Sequence, residues 1–159
     1  MQFVIFHGSF GSCNDNWFPE LKSKLEALSQ TVFTPQFPIE DWQELTQKGE
    51  KYELKNQNLT RWIETFSQIV LSQLNRNEKI CFVGHSLSSV FILHIVSRFR
   101  IKLDCAIFVS PFLDKLNKTW QIDYVNSSFY KTDFDFDVIK KLISISYVLY
   151  SDNDPYVDR

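Results

Sequence analysis

The chain has 159 residues, enough for one domain with a sizeable single core. Hydrophobic residues make up 44% and charged residues 23%, which excludes a disordered chain. With 17 Lys and Arg against 19 Asp and Glu the net charge is −2, so no basic excess exists to grip nucleic acid or an acidic membrane surface.

Apolar runs and helical stripes alternate along the chain. Phe3–Phe6 predicts a first strand, being short, apolar and rich in aromatic and β-branched residues. No charged segment precedes it and no cleavage site follows, so no secretory signal is expected and the chain reads as cytoplasmic. Phe18, Leu21, Leu25 and Leu28 form a helical stripe. Thr31-Val32-Phe33, closed by Pro35, is a weaker strand. Residues 34–58 have no clear period. Leu59, Trp62, Ile63, Phe66, Ile69, Val70 and Leu74 then share one face of a longer helix. Ile80–Val83 predicts the next strand. The segment from Leu87 to Phe99, apolar nearly all round, predicts a buried helix. Its most apolar part, Val90 to Val96, is too short to span a bilayer. Ala106–Val109 predicts another strand, and residues 110–133 are again aperiodic. Phe136, Ile139, Leu142 and Ile143 mark a short helix before a last strand at Ile145–Tyr150.

Strands alternating with helices predict βαβ units and a mostly parallel sheet with both faces covered, a three-layer α/β/α arrangement. For five strands the expected order is 2-1-3-4-5, with its switch point between strands 1 and 3. Ligands are then expected in the loops after Phe6 and after Val83. Both aperiodic stretches follow strands and should cover the same end. Residues 1–159 read as one domain.

The three cysteines, Cys13, Cys81 and Cys105, form no C-x-x-C pair. An odd count without such a pair argues against a disulfide scaffold and a zinc site, and no metal or cofactor is implied. Cys81 and Cys105 lie in apolar runs as small core residues.

After the third strand stands Gly84-His85-Ser86-Leu87-Ser88, between a strand and a buried helix. That context suits a nucleophile elbow, in which a sharp turn lifts the Ser86 hydroxyl at a helix N-terminus. The Leu87 N–H and the helix dipole would favour a developing oxyanion. The usual pattern ends in glycine, and here Ser88 takes that place. After the first strand, His7-Gly8-Ser9-Phe10-Gly11 would supply a second oxyanion donor from Ser9 or Phe10. A Gly-rich turn or phosphate loop is the plainer reading of that string, although neither nucleotide fingerprint is present. After the last strand, Asp152 and Asp154 precede or flank the turn at Pro155. Asp154 is preferred as the triad acid, and an acidic surface turn is the plainer alternative. Phe10, Trp17, Phe37, Trp42 and Phe112 are candidates for an apolar substrate pocket, or plain core aromatics.

Several of these strings arrive in a recognisable order. His7-Gly8-Ser9-Phe10-Gly11 with Asn16-Trp17-Phe18-Pro19, then Gly84-His85-Ser86, Ser110-Pro111-Phe112, Asn126-x-x-Phe129-Tyr130 with Phe134-Asp135, and Asp152-x-Asp154-Pro155 resemble the small serine hydrolases of the retinoblastoma-binding protein nine type. The resemblance implies an α/β-hydrolase fold without a large cap. It implies a Ser-His-Asp triad with esterase-like activity on small esters, thioesters or amides, Ser86 being nucleophile and Asp154 the acid. Binding of the retinoblastoma protein does not carry over: Leu103-x-Cys105 is followed by Ile107 where the associated string has Glu. No protein partner is identified by the sequence.

A serine triad needs a base. Of the three histidines, His7 ends the first strand, His85 precedes the serine, and His94 lies about two turns into the helix. None is expected at the base position. In the family the base follows the acid after one more helix and strand, a unit of about 30 residues, whereas Arg159 stands five residues beyond Asp154. The expectation is therefore a single domain lacking its C-terminal helix–strand unit. Such a chain would be impaired in catalysis and prone to association through an uncovered sheet face. A fragment or frameshifted gene, a shortened inactive relative, and a base supplied by His7 or a partner chain all satisfy it. A non-catalytic binding module using the same crevice is the alternative function.

Overall fold

The computed structural model describes residues 1–157. Five strands, β1 (Gln2–Phe6), β2 (Thr31–Phe33), β3 (Ile80–His85), β4 (Leu103–Val109) and β5 (Ile143–Leu149), form one all-parallel sheet in the order β2-β1-β3-β4-β5. This is the predicted winding. Register runs without a break from Phe6 opposite Gly84 to Phe108 opposite Val148.

Alternation along each strand sends side chains to two separate cores. Val4, Phe6 and Phe82 face helices α3 (Leu59–Phe66), α4 (Leu87–Phe99) and α6 (Phe136–Leu142), which contribute Trp62, Phe66, Phe91 and Ile139. Ile5, Cys81 and Val83 face the other way, against Phe18, Leu21 and Leu25 of α1 (Phe18–Ala27). Two short helices, α2 (Trp42–Lys48) and α5 (Trp120–Asn126), fall inside the stretches that show no period in the sequence.

Local chemistry marks most of the helix starts. Pro19 sits in the first turn of α1. Asp41, Asn58 and Asp135 cap α2, α3 and α6 by accepting the N–H of Glu44, Arg61 and Val138. The longer helix expected from Leu59 to Leu74 is α-helical only to Phe66 and widens into a π turn over Ser67–Leu71. No helix among the described residues is long and apolar enough to cross a membrane.

Candidate active site

Strand β3 ends at His85 and α4 begins at Leu87, so Ser86 alone makes the turn. Its backbone lies at φ 55° and ψ −121°, a strained conformation that costs an L-residue about 1–3 kcal/mol. Hydrogen bonds hold it: Ser86 N–H donates to Val109 O at 2.8 Å, and Ser89 N–H donates to Ser86 O at 3.0 Å. Close helix–strand packing beneath the turn requires Gly84. A Cβ there would stand 2.6 Å from Ile92 Cδ1 and 2.9 Å from Ser88 O. Ser88 is fully buried and donates its hydroxyl to His7 O. The place usually held by glycine is thus taken by a small side chain whose polar atom is satisfied, and it ties α4 to the loop after β1.

That loop crosses the serine. A Cβ on Gly8 would lie 3.0 Å from Ser86 Cβ and 3.2 Å from His85 O, so any side chain there would push on the serine. Gly11 N–H closes the turn onto Gly8 O at 3.2 Å, and Phe10 adopts the left-handed region at φ 52°. His7 is wholly buried below it. Its Nε2 accepts Phe37 N–H at 2.9 Å, so its proton sits on Nδ1, which donates to Gly8 O at 2.9 Å. Burial holds its pKa below the ordinary histidine value. With both nitrogens engaged by backbone groups, His7 braces the loop and is not free to accept a proton from Ser86.

A cleft of about 330 Å³ opens here. Ser9, Phe10 and Ser86 line it together with Trp42, Leu116, Ile122 and Tyr156. The last three carry no period or motif in the sequence that singles them out. Trp17 and Phe112 do not line this cleft. Trp17 packs edge-on to Phe18 at 4.6 Å and to His85 at 6.1 Å. Phe112 borders a separate apolar cavity of about 500 Å³ together with Leu93, Phe108, Ile139 and Val148. Phe37 is a core residue, stacked on Trp62 at 4.7 Å.

Of the two loop donors considered, Phe10 N–H is already given to Gln57 Oε1 at 3.0 Å. Ser9 is held through its hydroxyl, which donates to Asn126 Oδ1 at 2.7 Å. Leu87 is the first residue of α4, where backbone N–H groups lack intrahelical acceptors.

Asp154 lies just past β5. Its Oδ2 accepts the Ser110 hydroxyl at 2.6 Å, and its Oδ1 accepts the N–H groups of Tyr156 and Val157 at 2.9 and 3.0 Å. Burial alone would raise its pKa. The Ser110 hydroxyl, the two N–H groups and nearby His85 together hold it below the ordinary aspartate value. His85 lines the Ser86 cleft, its buried Nδ1 has no hydrogen-bond partner among the described residues, and burial lowers its pKa. The third histidine, His94, bonds Phe129 O through Nε2 at 2.8 Å, in a pocket apart from the cleft.

The segment between α2 and α3 is clasped by a buried carboxylate. Glu40 is 2% exposed and accepts from Tyr52 OH, from Asn56 Nδ2, and from the backbone N–H groups of Lys55, Asn56 and Gln57, at 2.6–3.2 Å. Burial alone would raise its pKa, but these donors hold it below the ordinary glutamate value. Burial and the adjacent Glu40 push the Tyr52 phenol up to about 12.

A strained serine between strand and helix, crossed by a glycine loop at the switch point of a parallel sheet, defines an α/β-hydrolase scaffold. The chain belongs to the serine hydrolase family, whose model matches residues 3–159. No curated protein sequence matches it. Among solved structures it is similar to the ydeN gene product from B. subtilis, at 26% identity and a TM-score of 0.74, covering 98% of this chain and 74% of that one. It is also similar in fold to tomato methylketone synthase I complexed with 2-tridecanone (21% identity, TM-score 0.51, covering 80% of this chain and 45% of that one). An extracellular α/β-hydrolase from a Paenibacillus species is a further match (18% identity, TM-score 0.52, covering 75% and 44%). The chain therefore spans about three-quarters of the ydeN product and less than half of the other two.

Proposed function

We propose that this chain carries the nucleophile, acid and oxyanion donors of a serine hydrolase of the retinoblastoma-binding protein nine type, acting on small esters, thioesters or amides. Ser86 is the nucleophile, Asp154 the acid, and the N–H groups of Leu87 and Ser9 the oxyanion donors. The observation that carries the reading is the strained Ser86 turn beneath Gly8, opening into a cleft of about 330 Å³. Attack by Oγ on a carbonyl would form a tetrahedral oxyanion, and collapse would expel the alcohol, thiol or amine and leave an acyl-serine. Each oxyanion donor of this kind is worth about 10²–10³ in rate.

The step also needs a base to take the Oγ proton. His7 is committed to backbone groups and His94 lies in another pocket. His85 adjoins the serine in sequence, and its ring packs against Trp17 and Phe18. The reading therefore holds that this chain acylates slowly with its own histidines, and that the base reaches Ser86 from a segment or partner chain packed against β5. The half-exposed apolar side chains of β5 support such a neighbour.

A fluorophosphonate probe tests this. The chain is expected to label slowly at Ser86, to label several-fold faster in added imidazole, and to lose labelling in Ser86→Ala. Equal labelling of Ser86→Ala would overturn the assignment. The unfilled base position favours one second reading, a non-catalytic binding module. That reading is supported if imidazole brings no labelling while small esters still bind in the cleft.

A further inference from the structure

The oxyanion loop is held by two buried amides that the triad does not use. Asn126 ends α5 and Gln57 precedes α3, and both are fully buried. They stand 69 residues apart in sequence yet are bonded to each other, Gln57 Nε2 donating to Asn126 Oδ1 at 3.1 Å. Each also holds one residue of the loop. The Ser9 hydroxyl donates to the same Asn126 Oδ1 at 2.7 Å, and Phe10 N–H donates to Gln57 Oε1 at 3.0 Å. Gln57 is itself anchored, because Glu40 accepts its N–H along with those of Lys55 and Asn56.

We propose that Asn126 and Gln57 are positioning residues that select which N–H of the loop faces the reaction. The proposal rests on the serine hydrolase reading of Ser86. Phe10 and Ser9 are adjacent and both line the Ser86 cleft. Gln57 removes the Phe10 N–H from use, and the Asn126 bond to the Ser9 side chain fixes the peptide that carries the Ser9 N–H. Gln57 accepts from the loop and donates to Asn126 at once, and Asn126 Oδ1 accepts from both Gln57 and Ser9, so a single Asn–Gln pair satisfies two loop groups without burying a charge. Phe10 gains too: its left-handed backbone at φ 52° is an uncommon state for an aromatic residue and needs an external hold. An oxyanion donor acts through fixed geometry. Loosening the loop should therefore slow the chemical step and leave ground-state binding in place.

The test is the rate of Ser86 phosphonylation by a fluorophosphonate in the presence of imidazole, separated into KI and kinact. Asn126→Leu and Ser9→Ala are each expected to lower kinact tenfold or more with KI changed less than threefold. Ser9→Thr keeps the hydroxyl and is expected to stay within threefold of the wild type. Gln57→Leu is expected to lower kinact and to expose the Phe10 amide to rapid hydrogen exchange, while amides of the β3 core stay protected. The exchange readout confirms that each variant is folded. If wild type and Asn126→Leu label at the same kinact, or if the loss falls in KI, the positioning role is overturned and the hydrolase reading stands. If the wild type does not label at Ser86 even with imidazole, the hydrolase reading fails and takes this proposal with it.

Discussion

The two flanks of the sheet differ sharply in cover. At β1, Val4, Ile5 and Phe6 are at most 1% exposed, because helices pack on both faces and the strand lies between two others. At β5, which forms an edge, Ile145, Tyr147, Val148 and Leu149 are each more than half exposed. The two strands read alike in sequence, as short apolar runs. Their parallel neighbours explain the difference. Tyr147 is in register with Ile107, on the face where α1 packs, and α1 contacts the β1–β3 side of that core. Val148 is in register with Phe108 and borders the apolar cavity of about 500 Å³. Apolar composition states what a strand is able to bury, while burial itself is decided by which helices reach it.

Replacing a side chain on each flank sharpens the contrast. Trp62 packs among Phe37, Phe91 and Phe129, and its Nε1 donates to Pro38 O at 2.8 Å. Trp62→Ala is expected to cost about 3–5 kcal/mol of stability in urea unfolding, the largest effect of the set. A loss below 1 kcal/mol would mean that the covered flank is looser than its burial indicates. Glu40→Gln comes next, at about 2–3 kcal/mol, since an amide cannot accept all the N–H groups that the carboxylate takes.

Acid should reach the same clasp. The folded-state pKa values of Glu40 and Asp154 both lie below their ordinary values of 4.5 and 3.8. On acidification the unfolded chain therefore binds protons first. The stability these groups contribute is fully present above those ordinary values and is lost as pH falls through the lower folded-state values. Urea midpoints measured from pH 7 down to pH 3 should fall more steeply for wild type than for Glu40→Gln. Parallel curves would remove Glu40 from the account. The smallest effect is expected on the other flank. Tyr147→Ser should change stability by less than about 1 kcal/mol and should reduce self-association seen in light scattering, because an exposed apolar edge invites pairing. A loss comparable to that of Trp62→Ala would show that β5 is as well covered as β1.

Much of this organisation was legible in the residues. Period and composition located the five strands, their order, the buried α4 and the turn at Ser86. The short helices α2 and α5 escaped because they bury too little to show a stripe, α2 only Leu45 and α5 only the adjacent Val125 and Asn126, whereas the equally short α6 buries Ile139 and Leu142 three apart. Trp17 and Phe112 illustrate a second limit. An aromatic residue near a loop announces that it will be buried, and the fold alone decides which cavity it meets. Asn126 stands in one of the strings of the resemblance, but its pairing with Gln57 was invisible for a third reason. Buried polar groups are identified by their partners, and these lie 69 residues apart.

The backbone at Ser86 also restricts which amino acids that position can accept. Glycine would relax the φ of 55° but brings no reactive atom. Threonine has a hydroxyl, yet its branched Cβ would enter a left-handed turn already crowded by the crossing Gly8. Serine, unbranched at Cβ, brings a hydroxyl that fits both the dihedral angles and the space. The turn thus filters candidate nucleophiles by their branching at Cβ before any substrate arrives.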